Sequence, residues 1–120
     1  MKILVVGGAG YIGSHMIKRF QNTDHQIEVL DNLSTGFKEN SQNYKFHMCD
    51  LSNKEQVHKI LKENKYEMVM HFASSINVGE SYDHPMKYYE NNVTNTLNLL
   101  ECMIDLKILN FIFSSTAAVY

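Results

Sequence analysis

The order of apolar runs and helical patterns along this 120-residue chain predicts an α/β fold, a doubly wound parallel sheet of five strands in the order 3-2-1-4-5. Continuous aliphatic runs such as Ile3 to Val6 read as strands buried on both faces. Helical spacing returns between such runs, first at Ile12, Met16, Ile17 and Phe20. Where the first run gives way to the first helix stand three spaced glycines, Gly7, Gly10 and Gly13.

Strands are predicted over residues 2–7, 26–31, 44–49, 66–72 and 109–114, and helices over 11–22, 53–64 and 85–104. In the first unit, MKILVVGGAGYIGSH, each glycine has its own physical reason. Gly7 lets the chain leave the strand through a tight turn, Gly10 lets backbone approach a pyrophosphate, and Gly13 lets the helix pack closely on the strand. The segment fits G-x-G-x-x-G through Gly8, Gly10 and Gly13, and G-x-x-G-x-x-G through Gly7, Gly10 and Gly13. A turn that binds nothing satisfies that spacing too, so the next strand matters. It runs Gln26-Ile27-Glu28-Val29-Leu30 and ends at Asp31, eighteen positions after Gly13. A dinucleotide fold places its ribose-binding acid about 20 residues on. A carboxylate there accepts hydrogen bonds from the 2′-hydroxyl and repels a 2′-phosphate, and Asn32 to Gly36 contains no arginine. NAD is therefore expected over NADP.

Residues 32–43 are polar and read as a loop or a single helical turn. Pro85 suits the first turn of the third helix, which carries Tyr88, Tyr89, Val93, Leu97, Leu100 and Ile104 along its length. Asn91, Asn92, Asn95 and Asn98 are interleaved with these; for most of them a solvated face is the expectation, with bonding to loops or ligand as the alternative. A fifth strand at Leu109 to Phe113 would leave an apolar edge, so the chain reads as the front part of something longer, truncated after that strand.

Composition bounds the partners. With 44% hydrophobic and 20% charged residues, the chain can bury roughly two thirds of its unfolded surface in one core. The formal charge is −2 and Arg19 is the only arginine, which argues against nucleic acid. No apolar run suits a signal peptide or a membrane span, so the cytoplasm is the expected address. Cys49 and Cys102 lack C-x-x-C spacing and are expected as reduced core thiols, and the six histidines show no metal-ligand spacing. His71, ending an apolar strand, is expected to be packed and hydrogen-bonded in preference to acting as a base.

Five blocks, GGAGYIGSH, DNLSTG, HFA followed by VGES, YYENNV and FIFSSTAAVY, appear in this order across essentially the whole chain. Together they resemble the N-terminal half of the UDP-glucose 4-epimerases, extended short-chain dehydrogenase/reductase enzymes with a Rossmann-like cofactor domain. The resemblance implies an NAD-binding domain over residues 1–120, lacking the catalytic helix and the substrate domain. It implies an isomerase as a whole protein, interconverting UDP-galactose and UDP-glucose through a 4-keto sugar by hydride transfer to and from NAD.

By match of motif, Gly7, Gly10, Tyr11, Ile12 and Gly13 would cradle the pyrophosphate, and Asp31 and Asn32 the adenosine ribose. Ser34, Thr35 and Gly36 would lie beside that ribose, with Asp50 and Leu51 flanking the adenine. Phe72, Ala73 and Ser74 would line the cofactor at the fourth strand, and Asn92 and Ser114 would sit near the nicotinamide. Thr116 falls where the family places the Ser or Thr bonded to the reacting C4 hydroxyl, and no metal is implied.

Two positions depart from the family pattern. Ile76, next to Ser75, stands where many members carry a lysine that reaches the nicotinamide ribose. More consequentially, no tyrosine is followed four positions on by lysine, so the Tyr-x-x-x-Lys pair is missing. A phenol titrates near 10 and becomes a base at neutral pH only beside a cation. The segment by itself is thus expected to be inactive. The resemblance also implies a homodimer paired through helices, of which only the first is contained in this chain; self-association through that helix or through the apolar fifth strand is the expectation for the segment. Two other readings stay open: a related NAD-dependent sugar-nucleotide 5-epimerase, dehydratase or decarboxylase, and a non-catalytic dinucleotide-binding module.

Overall fold

The computed structural model describes residues 1–8, 11–32, 44–72, 86 and 93–113. Its elements, in chain order, are β1 (Lys2–Val6), α1 (Tyr11–Arg19), β2 (Gln26–Asp31), β3 (Lys45–Met48), α2 (Lys54–Asn64), β4 (Met68–His71), α3 (Asn95–Asp105) and β5 (Asn110–Phe113). The strands form one sheet in the order β3-β2-β1-β4-β5, every neighbouring pair parallel, as the alternation predicts.

Strand register divides the core in two. Ile3, Val5, Ile27, Val29 and Met70 turn to the face covered by α1 and meet Ile17. Leu4, Val6, Leu30 and Val69 turn to the other face, against Val57, Ile60 and Leu61 of α2 and Leu99, Cys102 and Met103 of α3. Helices on both faces explain why these strands read as continuous apolar runs.

The helix ends follow local chemistry. α1 closes at Arg19, three residues before the expected end, because Phe20 and Gln21 donate to the carbonyls of Ile17 and Lys18, tightening the last turn. Asn53 caps α2, its side chain accepting from the Gln56 amide at 3.2 Å, and Lys65 ends that helix in the left-handed region at φ 52°. The expected third helix is described from Val93 onward, with Val93 and Thr94 in a π-helical turn ahead of α3; Pro85, Tyr88, Tyr89 and Asn91 lie outside the described residues. Its expected apolar run is divided: Val93, Leu97 (51%) and Ile104 (73%) are exposed, whereas Leu100 packs against the core beside the buried Leu99, Cys102 and Met103. The expectation of a solvated face fails for Asn98, which is half-buried and donates to the Leu51 carbonyl at 3.0 Å. That bond holds α3 to the turn after β3. Cys49 and Cys102 are buried free thiols, as expected. No helix among the described residues is long and apolar enough to cross a membrane.

One polar cluster interrupts the core beneath α2. Glu28, in the middle of β2, accepts from the Tyr66 hydroxyl at 2.7 Å, lies 2.8 Å from His47 Nε2 and pairs with Lys2 Nζ at 3.3 Å. Burial alone would raise its carboxyl, but the hydrogen bonds from His47 and Tyr66 and the Lys2 charge outweigh burial and hold it below the usual carboxylate range. Burial, and then the Glu28 carboxylate, push the Tyr66 phenol up. A carboxyl with a depressed folded-state titration contributes stability that is present above its ordinary value and lost as pH falls through the depressed one.

Replacing Tyr66 with Phe leaves that buried carboxylate short of one donor and is expected to cost about 2 kcal/mol at pH 7, read by urea denaturation. The deficit should narrow as pH falls below the ordinary carboxylate value of 4.5 through the depressed range of Glu28, because a protonated carboxyl depends less on the phenol. A deficit independent of pH would detach Tyr66 from the ionised state of Glu28.

Candidate functional site

The C-terminal edge of a doubly wound sheet holds the ligand crevice, where the strand order changes direction. Here the change falls at β1, which pairs with β2 on one side and β4 on the other. Val6 stands level with Leu30 and with His71. The next residues along the three strands are therefore Gly7, Asp31 and Phe72, in one row beyond the ladder. Two hydrogen bonds close that row: the Gly7 amide donates to the Leu30 carbonyl and the Phe72 amide to the Val6 carbonyl, each at 2.7 Å.

Gly7 has φ 83°, the left-handed conformation that lets the chain turn sharply out of β1. Gly13 sits in the first turns of α1, where a Cβ would stand 2.2 Å from the Gly7 carbonyl oxygen and 2.8 Å from Gly8 Cα. Only hydrogen at that position permits the approach. Gly8, which counts in only one spelling of the motif, is confined by side chains instead of backbone: a Cβ would lie 2.8 Å from both Ile17 Cδ1 and Val29 Cγ1. The result brings the turn after β1 against the first turns of a helix whose first amides have no intrahelical acceptor, an arrangement suited to an anion. Tyr11 and Ile12 supply backbone to that first turn. Gly10, the remaining glycine of the motif, lies outside the described residues.

Asp31, 9% exposed, ends β2 in the same row. Its carbonyl accepts from the Cys49 amide at 3.1 Å, which ties the end of β2 to the end of β3. Asn32 follows and donates through Nδ2 to Asp50 Oδ2 at 3.1 Å. The Ser52 amide donates to the other Asp50 oxygen at 2.9 Å. The Ser52 amide first, with Asn32 adding to it against the opposing effect of burial, holds the Asp50 carboxyl below the usual range. Residues expected on either side of an adenosine thus form one hydrogen-bonded group across two strand ends. Leu51 differs: its side chain is buried against α2 and α3, and its carbonyl accepts from Asn98.

Phe72 is half-buried and packs with the α1-side cluster, while His71 beside it points to the α3 side. His71 is fully buried, 3.1 Å from Thr96 Oγ1 through Nε2, and burial pushes its imidazole down to about 4. The ring is neutral at pH 7, packed and hydrogen-bonded as the sequence suggests. Ser34, Thr35, Gly36, Ala73, Ser74, Asn92, Ser114 and Thr116, with Ser75 and Ile76, all lie outside the described residues. Neither the Thr96 partner of His71 nor the cluster around Glu28 was foreseen. A charge inside the apolar run of β2 was the one available signal for the latter.

Comparisons with known proteins agree with this geometry. The family model described as the NAD dependent epimerase/dehydratase family matches residues 3–120. The UDP-glucose 4-epimerase of Lactobacillus helveticus is 44% identical over 121 residues, which span all of this chain and 37% of that relative. Among solved structures, the UDP-Glc/GlcNAc 4-epimerase of Campylobacter jejuni superposes with a TM-score of 0.93 at 48% identity, covering 98% of this chain and 37% of that one. The UDP-glucose 4-epimerase of Brucella ovis, solved in complex with NAD, gives a TM-score of 0.93 at 39% identity, over 99% of this chain and 37% of its own. The chain thus spans a little over a third of the length of these relatives.

Adding one methyl group tests the cradle. Gly13→Ala is expected to cost about 3 kcal/mol or more, because the clash is with backbone and cannot be relieved by rotating a side chain. Urea denaturation reads the loss; a variant within about 0.5 kcal/mol of the parent would mean that α1 does not approach β1 this closely.

Proposed function

The chain belongs to the NAD dependent epimerase/dehydratase family, and from that footing we propose that it is the NAD-binding part of a UDP-hexose 4-epimerase. The observation that supports this most is the single row of Gly7, Asp31 and Phe72 at the crevice, backed by a helix start that a Cβ at Gly13 would close. The fit to a dinucleotide is chemical at each point. Gly7, Gly10, Tyr11, Ile12 and Gly13 present backbone to the pyrophosphate, and Asp31 and Asn32 accept and donate at the adenosine ribose with Ser34, Thr35 and Gly36 beside it. Asp50 and the backbone of Leu51 border the adenine. Phe72, Ala73 and Ser74 line the path toward the nicotinamide, near which Asn92 and Ser114 lie.

When bound, the nicotinamide supplies reversible hydride transfer at C4 of the sugar. This chain's own part is to bind and orient. Asp31 selects the unphosphorylated ribose by charge, and Thr116 holds the C4 hydroxyl of UDP-galactose or UDP-glucose, whose interconversion passes through a 4-keto sugar. No Tyr-x-x-x-Lys pair occurs in the 120 residues, so the proton transfer has no base here and the segment alone is inactive. Relatives named for UDP-Glc/GlcNAc and UDP-glucose support a UDP-hexose substrate. The exposed Leu97 and Ile104 on α3 support a homodimer paired through that helix. We assign the whole protein to the cytoplasm.

Calorimetric titration of NAD and NADP into the chain and its Asp31→Ala variant tests the reading. NAD should bind in preference to NADP, and the variant should bind NAD about 10- to 100-fold more weakly and lose the preference, the size expected for hydrogen bonds to a charged group. Equal affinity for both cofactors in the parent chain would remove Asp31 from its role. The same samples read by light scattering should contain dimers; a monomer at high concentration would remove the pairing through α3.

A further inference from the structure

We infer that the cleft between the C-terminal ends of α2 and α3 is a binding site for a small phosphate-bearing anion, separate from the cofactor crevice and independent of the NAD-binding reading. The cleft encloses about 180 Å³, with Lys62, Lys65 and Lys107 around Leu61, Leu106 and Ile108. It lies where the chain leaves the two helices to enter β4 and β5. That is the opposite edge of the parallel sheet from Gly7, Asp31 and Phe72.

Charge and backbone both point to a ligand. All three lysines are exposed, and none has an ion-pair partner among the described residues. Among those residues no carboxylate lines the cleft either. Two nearby acids are engaged elsewhere, Glu67 by the Lys2 amide at 3.1 Å and Asp105 by His58 at 2.6 Å. Three like charges around one concavity repel one another and raise the local concentration of anions. Lys65, at φ 52°, and Lys107, at φ 60°, are the two non-glycine residues of positive φ among the described residues, and both line this cleft. Glycine ends a helix in this conformation with less strain, so lysine at both ends is kept for its side chain. Capping does not account for it, because the amides of Lys65, Leu106, Lys107 and Ile108 already donate to the carbonyls of Leu61, Cys102, Ile104 and Met103. Size and lining give the ligand class. The cleft is too small for a dinucleotide but admits a phosphate group, which lysine binds as a point charge. The aliphatic lining suits a small apolar body attached to that phosphate.

The test titrates phenyl phosphate and inorganic phosphate into the labelled 120-residue chain and follows its amides by NMR. Saturable shifts are expected at Lys65, Tyr66, Lys107 and Ile108. Tighter binding of phenyl phosphate would identify an ester as the ligand, and equal binding free phosphate; both outcomes support the site. Lys65→Gly combined with Lys107→Gly keeps both turns without strain and should weaken binding about tenfold. Should that pair not fold by circular dichroism, Lys62→Gln, which alters no turn, carries the same comparison. The helix start at Gly13 also suits an anion, so shifts at Gly7, Gly8 and Gly13 should persist unchanged in these variants. Phosphate shifts absent from the four cleft amides, or equal affinity there in variant and parent, would overturn the inference and leave the NAD reading intact.

Discussion

The contact between the start of α1 and the turn after β1 is the constraint on which the rest of the arrangement depends. Gly13 lies so close to the Gly7 carbonyl that no side chain fits between them, and Gly7 reaches that position through a left-handed turn. The closeness has a consequence at each level. It seats Ile17 against Val5 and Val29 in the α1-side core. It sets the first turns of α1 beside the turn that ends β1, at the C-terminal edge of the sheet. The row of Gly7, Asp31 and Phe72 lies there too, at the strand ends across which an extended ligand of this fold is laid.

Around that constraint the molecule separates two kinds of polar chemistry. At the C-terminal edge, Asp31, Asn32 and Asp50 are positioned by backbone and amide donors at the mouth of the crevice. Beneath α2, Glu28, Tyr66, His47 and Lys2 satisfy one another in a closed cluster. A buried charge that has found all its partners has no affinity left for a ligand, so the second cluster specifies how β1, β2, β3 and the entry to β4 fit together. His58 with Asp105, at 2.6 Å, and Lys54 with Glu101 do the same across the outer seam of α2 and α3. These exposed pairs add little stability and help fix orientation.

Much of this was readable from the chain because it is written in local spacing. The five strands and their order follow from short apolar runs alternating with helical patterns, and Gly7, Gly13 and Asp31 sit at offsets that one strand-turn-helix-strand unit imposes. What escaped depends on contacts distant in sequence. Glu28 and Tyr66 are 38 residues apart and Asn98 and Leu51 are 47 apart, and no periodicity relates them. Leu97 and Ile104 share helical spacing with core residues, so an apolar stripe on α3 did not reveal which side meets the sheet; the burial of Leu99, Cys102 and Met103 decides it. Thr96 is an ordinary helical threonine until the topology sets it over the end of β4.

The C-terminal edge of the sheet, with Gly7, Asp31 and Phe72, is the proposed dinucleotide site. Amide chemical shifts recorded by NMR as NAD is added to the labelled chain test it most directly. Changes are expected at Gly7, Gly8, Gly13, Asp31, Asn32 and Asp50, with Glu28, His47, Tyr66 and Asn64 unmoved. Shifts concentrated on the cluster beneath α2, or a folded chain whose amides do not respond to saturating NAD, would contradict it.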